Sequence, residues 1–166
     1  MATRIEYLID ESQWEPRERI SVVARVLQGL APSVTSAETN IPWSRSSTWQ
    51  PEVRDAANVL IEAYVPWEKR DRAYMRTRVQ AVDEKTRAAF VAVAPYAYDC
   101  TMWANQDELA SLADEGTSLV MCLTDDEAGT VRQVLGSDRL VTLAEWRIRY
   151  PRPSLWARLK EFVGGG

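Results

Sequence analysis

The residues of this chain best equipped for chemistry are carboxylates. Acids stand in adjacent groups at Asp107/Glu108, Asp114/Glu115 and Asp125/Asp126/Glu127, and Asp99 precedes a cysteine, Cys100. Such groups can hold magnesium or divide the work of acid and base. There is no histidine among the 166 residues, so a Ser-His-Asp or Cys-His device and a zinc site needing imidazole are ruled out within the chain. Two cysteines cannot supply a four-thiolate site. Neither a Gly-x-x-x-x-Gly-Lys-Ser/Thr loop nor a Gly-x-Gly-x-x-Gly fingerprint is present, which removes the usual nucleotide cradles.

The acids also have a plainer explanation. Asp107, Glu108 and Asp125 to Glu127 fall where the sequence predicts first helical turns, and there carboxylates cap amides and complement the helix dipole. Adjacent acids on a helix point in different directions, and no convergence of several elements on one metal is legible, so no metal or cofactor is expected. A carboxylate beside Cys100 should raise its thiol pKa and weaken it as a nucleophile.

Charge is unevenly distributed. Residues 1–87 balance thirteen bases with thirteen acids, 88–131 hold eight acids and no base, and 132–166 hold seven bases and three acids. Inside the acidic stretch Tyr96, Tyr98 and Trp103 bracket Asp99. Aromatic anchors beside a carboxylate suit contact with a basic protein, because such rings dominate binding hot spots while charge steers the encounter. Burial in the core is the competing use of those rings. A second constellation is basic: Arg72, Arg76 and Arg78, with Trp67 and Tyr74 near them, have the composition of a phosphate-binding patch. Against it stand the interspersed Glu68 and Asp71 and a net charge of −4.

The elements that must position these groups are read from periodicity. Alternation over Arg4–Asp10 predicts a strand. Ser12 to Glu15 has capping-box spacing, and Pro16 suits the first turn of a helix carrying Ile20, Val23, Leu27 and Leu30. Residues 31–48 read as a long loop, and Pro51 opens a second helix through Leu60 and Tyr64. Met75–Ala81 and Ala88–Ala94 read as a hairpin turning at Asp83–Thr86. Beyond Pro95, Tyr96–Trp103 is a short strand or ordered loop, and Asn105–Glu115 reads as a short helix. Ser118–Leu123 predicts a strand covered on both faces; with a helix capped at Thr124 and a strand at Arg139–Leu143 it makes a βαβ unit. Ser154–Val163 suggests a last helix, and Gly164–Gly166 a flexible tail.

These elements make one α+β or α/β domain over residues 1–163, a mixed sheet of five or six strands with about five helices. Composition is that of an ordinary globular protein with both thiols reduced. Neither a secretory leader nor a membrane-length apolar run is apparent, so a cytoplasmic location is expected. Seventeen arginines against three lysines suit a GC-rich bacterial or phage genome. The functional expectation is a non-enzymatic protein-binding module, an inhibitor or immunity-type factor using Tyr96, Tyr98, Asp99 and Trp103 against a basic partner. The alternatives are a nucleic-acid or nucleotide-associated protein using Arg72, Arg76 and Arg78, and a magnesium-dependent enzyme with dispersed carboxylates.

Overall fold

The computed structural model of the protein describes residues 3–10, 15–66, 73–80, 83–113, 118–136 and 138–151. Their fold is α+β. Seven strands form one sheet: β1 (Ile5–Ile9), β2 (Ser36–Ile41), β3 (Met75–Gln80), β4 (Asp99–Ala104), β5 (Asp107–Ala113), β6 (Ser118–Leu123) and β7 (Leu140–Thr142), in the spatial order β3-β2-β4-β5-β6-β1-β7. Every neighbouring pair is antiparallel. The sheet therefore has more strands than the expected five or six, and its pairing is uniform rather than mixed.

Helices α1 (Pro16–Leu30), α2 (Pro51–Tyr64), α3 (Glu84–Val93) and α4 (Asp125–Leu135) lie side by side in the order α2-α3-α1-α4. Alternate strand residues point into them: Tyr7 and Ile9, Ala37 and Ile41, Met75 and Val79, Cys100 and Met102, Ala110 and Leu112, Met121 and Leu123 all belong to one buried apolar cluster. The period of two sends the other residues to the opposite face. There, a short helix α5 (Leu143–Arg149) packs against β1 and β7. β6 is consequently covered on one face only, with Val120 and Cys122 half-buried on the other.

The anticipated βαβ unit is present in a split form. β6 and β7 run in the same direction and α4 joins them, but β1 lies between and is antiparallel to both. The same device recurs where β3 and β4, joined by α3, flank β2. The crossover thus spans two inter-strand spacings, about 10 Å.

Three local expectations are corrected. The segment read as the second arm of a hairpin is α3: the Asp83 carboxylate accepts from the Thr86 amide at 2.7 Å, and Thr86, Ala89, Phe90 and Val93 are buried at helical spacing. The segment read as a helix is β5, because Asn105, at φ 59°, and Gln106 close a two-residue turn that returns the chain along β4. The long loop contains β2, whose pattern is interrupted by a buried Thr39. α1 begins at Pro16 without a side-chain cap from Glu15; Ser12 and the Ser154–Val163 helix lie outside the described residues. An additional helix, α5, starts at a Thr142/Glu145 capping box.

One polar node ties four elements together. The Arg4 guanidinium donates to the Cys122 carbonyl at 2.7 Å and to both Glu127 oxygens at 2.6 and 3.2 Å, and lies 3.6 Å from the Asp107 carboxylate. Glu127 also completes the α4 capping box by accepting from the Thr124 amide at 2.9 Å. Burial alone would raise the Glu127 carboxyl, but the Thr124 amide, the Arg4 guanidinium and the Thr124 hydroxyl outweigh it and leave it below the ordinary 4.5.

Losing an N-cap costs about 1 kcal/mol, whereas stripping one partner from a largely desolvated ion pair costs about 3 kcal/mol. Urea unfolding should therefore find Arg4→Ala clearly less stable than Thr124→Ala. Since the folded pKa of Glu127 lies below its unfolded value, its contribution is complete above the unfolded pKa and is lost as pH falls through the folded one. Thermal melts of Glu127→Gln between about pH 6 and pH 3 should accordingly show a shallower fall in Tm than those of the unaltered chain.

Candidate functional site

The face of the sheet turned away from α1 to α4 carries the residues of interest. Its strands present Arg76 and Arg78 from β3, Ser36, Glu38 and Asn40 from β2, Asp99, Thr101 and Trp103 from β4, Ser111 and Ala113 from β5, Val120 and Cys122 from β6, and Glu6 and Leu8 from β1. Register arranges these into rows. Thr101, Ser111, Val120 and Leu8 lie in line, and beside them Trp103 pairs with Glu108 and Cys122 with Glu6. Thr101, Trp103, Val120, Cys122 and Leu8 are half-buried, while Asp99, Glu108 and Glu6 are exposed. The centre is thus a shallow, partly apolar floor with carboxylates around it.

The four residues singled out as a partner site are not gathered at one point. Tyr96 sits in a 3-10 turn before β4 and packs against Trp49 with ring centroids 5.9 Å apart. Tyr98 meets Tyr74 edge to face at 6.0 Å, and both rings are about half exposed. Asp99 opens β4 and accepts weakly from the Asn40 amide at 3.5 Å. Trp103 shares the open face with Asp99 but lies four residues along the strand, about 13 Å away. Its neighbours are Glu108, directly opposite, and Ser36, Arg78 and Asn105, with which it lines a small cavity of about 170 Å³.

Arg76 and Arg78 do share the outer face of β3, and both are highly exposed, their side chains 76% and 70% accessible. Glu38 of the neighbouring strand stands between them. The Arg76 guanidinium is bonded to one of its oxygens, and Nε of Arg78 is 3.9 Å from the other. With one carboxylate serving two guanidiniums, a phosphate approaching this patch meets a half-neutralised pair. Arg72 lies outside the described residues. Glu38 escapes a reading of the sequence because β2 lies in a stretch without a sustained period. Glu6 is accessible to such a reading, since the β1 alternation sends it outward with Leu8; Glu108 has instead the sequence setting of a helix cap.

Cys100 is buried on the helix side of β4. Burial, above all, and the neighbouring Asp99 to a smaller degree push its thiol up to about 12 despite a hydrogen bond from the Leu112 backbone. It is a protonated core side chain at neutral pH. Cys122 is raised too, first by partial burial and then by Glu6 and Glu108, with Arg4 opposing. Both thiols are free. Among the described residues no three His, Cys, Asp or Glu side chains converge as metal ligands, and no helix is long and apolar enough to cross a membrane. Of the acid groups, Asp125 to Glu127 occupy the first turn of α4, and Glu127 is committed to Thr124 and Arg4.

N-Ethylmaleimide at mildly alkaline pH should give a single adduct on the native chain, at Cys122, with a second at Cys100 appearing only in denaturant; peptide mass spectrometry distinguishes the two. In comparisons with known proteins, no family model, no curated protein and no solved structure matches this chain.

Proposed function

We propose that the protein is a non-enzymatic, cytoplasmic binding module, of the inhibitor or immunity type, that receives a basic protein on the open face of its sheet. The observation that carries this reading is the half-buried Trp103, set among Thr101, Glu108 and the Cys122–Glu6 pair, with Asp99 further along the same strand. A large ring beside small side chains offers an anchor whose desolvation drives affinity, while surrounding carboxylates accelerate the approach of a cationic surface.

The arginine reading has less support, since Glu38 already engages both Arg76 and Arg78. Carboxylate catalysis has less still: the α4 acids serve a helix terminus, and Asp107 faces Arg4.

The immobilised chain, challenged with host lysate before and after nuclease treatment, tests the proposal. A stoichiometric basic protein should be retained by the unaltered chain and by Arg76→Glu/Arg78→Glu. Trp103→Ala should weaken that complex at least about thirty-fold, the equivalent of about 2 kcal/mol, and Asp99→Lys should slow its association. Retention of nucleic acid alone, abolished by the arginine reversals, would overturn the reading.

A further inference from the structure

α5 buries none of its side chains. Its Thr142/Glu145 capping box starts it, and it rests on β1 and β7 without closing the space beneath. A cavity of about 620 Å³ remains there, lined by Leu8 of β1 and by Leu143, Trp146, Arg147, Tyr150 and Pro151. Apart from Arg147, every lining residue is apolar or aromatic. The rings of Trp146 and Tyr150 lie against each other, with centroids 4.4 Å apart and planes tilted by 42°. In size and lining the cavity falls in the class of small-molecule pockets, which span about 300–1,000 Å³.

The charges around it are satisfied with one exception. Asp10 accepts from the Arg149 guanidinium at 3.1 Å and from the Tyr150 hydroxyl at 3.1 Å, so both of those groups are spoken for. Glu145 accepts from the Thr142 amide at 2.8 Å and its hydroxyl at 2.9 Å. Arg147 is exposed, and among the described residues no carboxylate pairs with it. An apolar, aromatic-walled cavity is thus bordered by a single unmatched guanidinium.

We propose that this cavity binds a small aromatic carboxylic acid, its ring against Leu8, Leu143 and Trp146 and its carboxylate on Arg147. The guanidinium fork matches a carboxylate in two parallel hydrogen bonds, which an uncharged ligand cannot reproduce and a cation would be repelled from. Ring-to-ring contact with Trp146 favours an aromatic body over an aliphatic one of the same size. The ligand supplies the burial that α5 lacks, and so fastens the helix to β1. Trp103, Asp99 and Glu108 take no part, which makes this site independent of the partner reading.

Naphthylacetate is the probe, and naphthylacetamide its uncharged counterpart. Calorimetric titration of the unaltered chain should show one saturable site for the acid with a Kd below about 1 mM, and at least about five-fold weaker binding of the amide. Arg147→Gln should weaken the acid by a similar factor and leave the amide unchanged, so that the two bind alike. Nuclear Overhauser contacts from the naphthyl protons should reach the Leu8 methyl groups. No saturation by the acid up to about 10 mM, equal binding of acid and amide to the unaltered chain, or a preference for the acid that survives in Arg147→Gln would each overturn the proposal. The comparison of acid with amide needs no variant, and therefore decides even if Arg147→Gln disturbs α5.

Discussion

One-sided burial is the constraint on which the rest of this protein depends. Seven antiparallel strands send alternate side chains into a single cluster beneath α1 to α4, and the period of two leaves the other half of each strand facing away. Because that second face is not required for the core, it is free to carry Trp103, Thr101, Glu6 and Glu108, a combination that a buried face would reject. The same separation explains the two cysteines. Cys100 and Cys122 stand on β4 and β6, on opposite faces of the sheet, and their environments differ accordingly.

The sheet must also terminate safely. β3, at one edge, alternates buried Met75, Thr77 and Val79 with the exposed Arg76 and Arg78, and charge on an edge strand discourages pairing with another chain. β7, at the other, is three residues long and is packed by α5. The arginines that resemble a phosphate patch thus have sufficient cause in the architecture, and Glu38 of the neighbouring strand balances part of their charge.

How much of this was legible in the sequence depended on whether a local signal agreed with its tertiary setting. β1, α1 and α2 show a clear period, β6 is an apolar run and α4 opens on a capping sequence, and all five occur where those signals put them. Ala88–Ala94 misled because an apolar run fits a strand or a buried helix equally well; the Asp83 cap decides the matter, and its signal lay in the residues read as a turn. β5 misled in the opposite sense, since Asp107-Glu108 is a good helix start until Asn105 is allowed a positive φ. The open face itself could not be read, because it is assembled from β1, β4, β5 and β6, whose adjacency is a property of topology alone. Outward residues such as Glu6 were identifiable singly, but nothing local places Glu6 beside Cys122.

The placement of β1 between β6 and β7 has a consequence for synthesis. Arg4 and the Cys122 carbonyl that it binds are 118 residues apart in sequence, so during translation the β1 segment leaves the ribosome long before either strand that flanks it exists. Until then its backbone donors and its Tyr7 and Ile9 side chains lack their sheet neighbours. Folding of this half of the molecule is thereby a late event dominated by loop closure, which favours slow kinetics and prolongs exposure of an adhesive segment in the nascent chain.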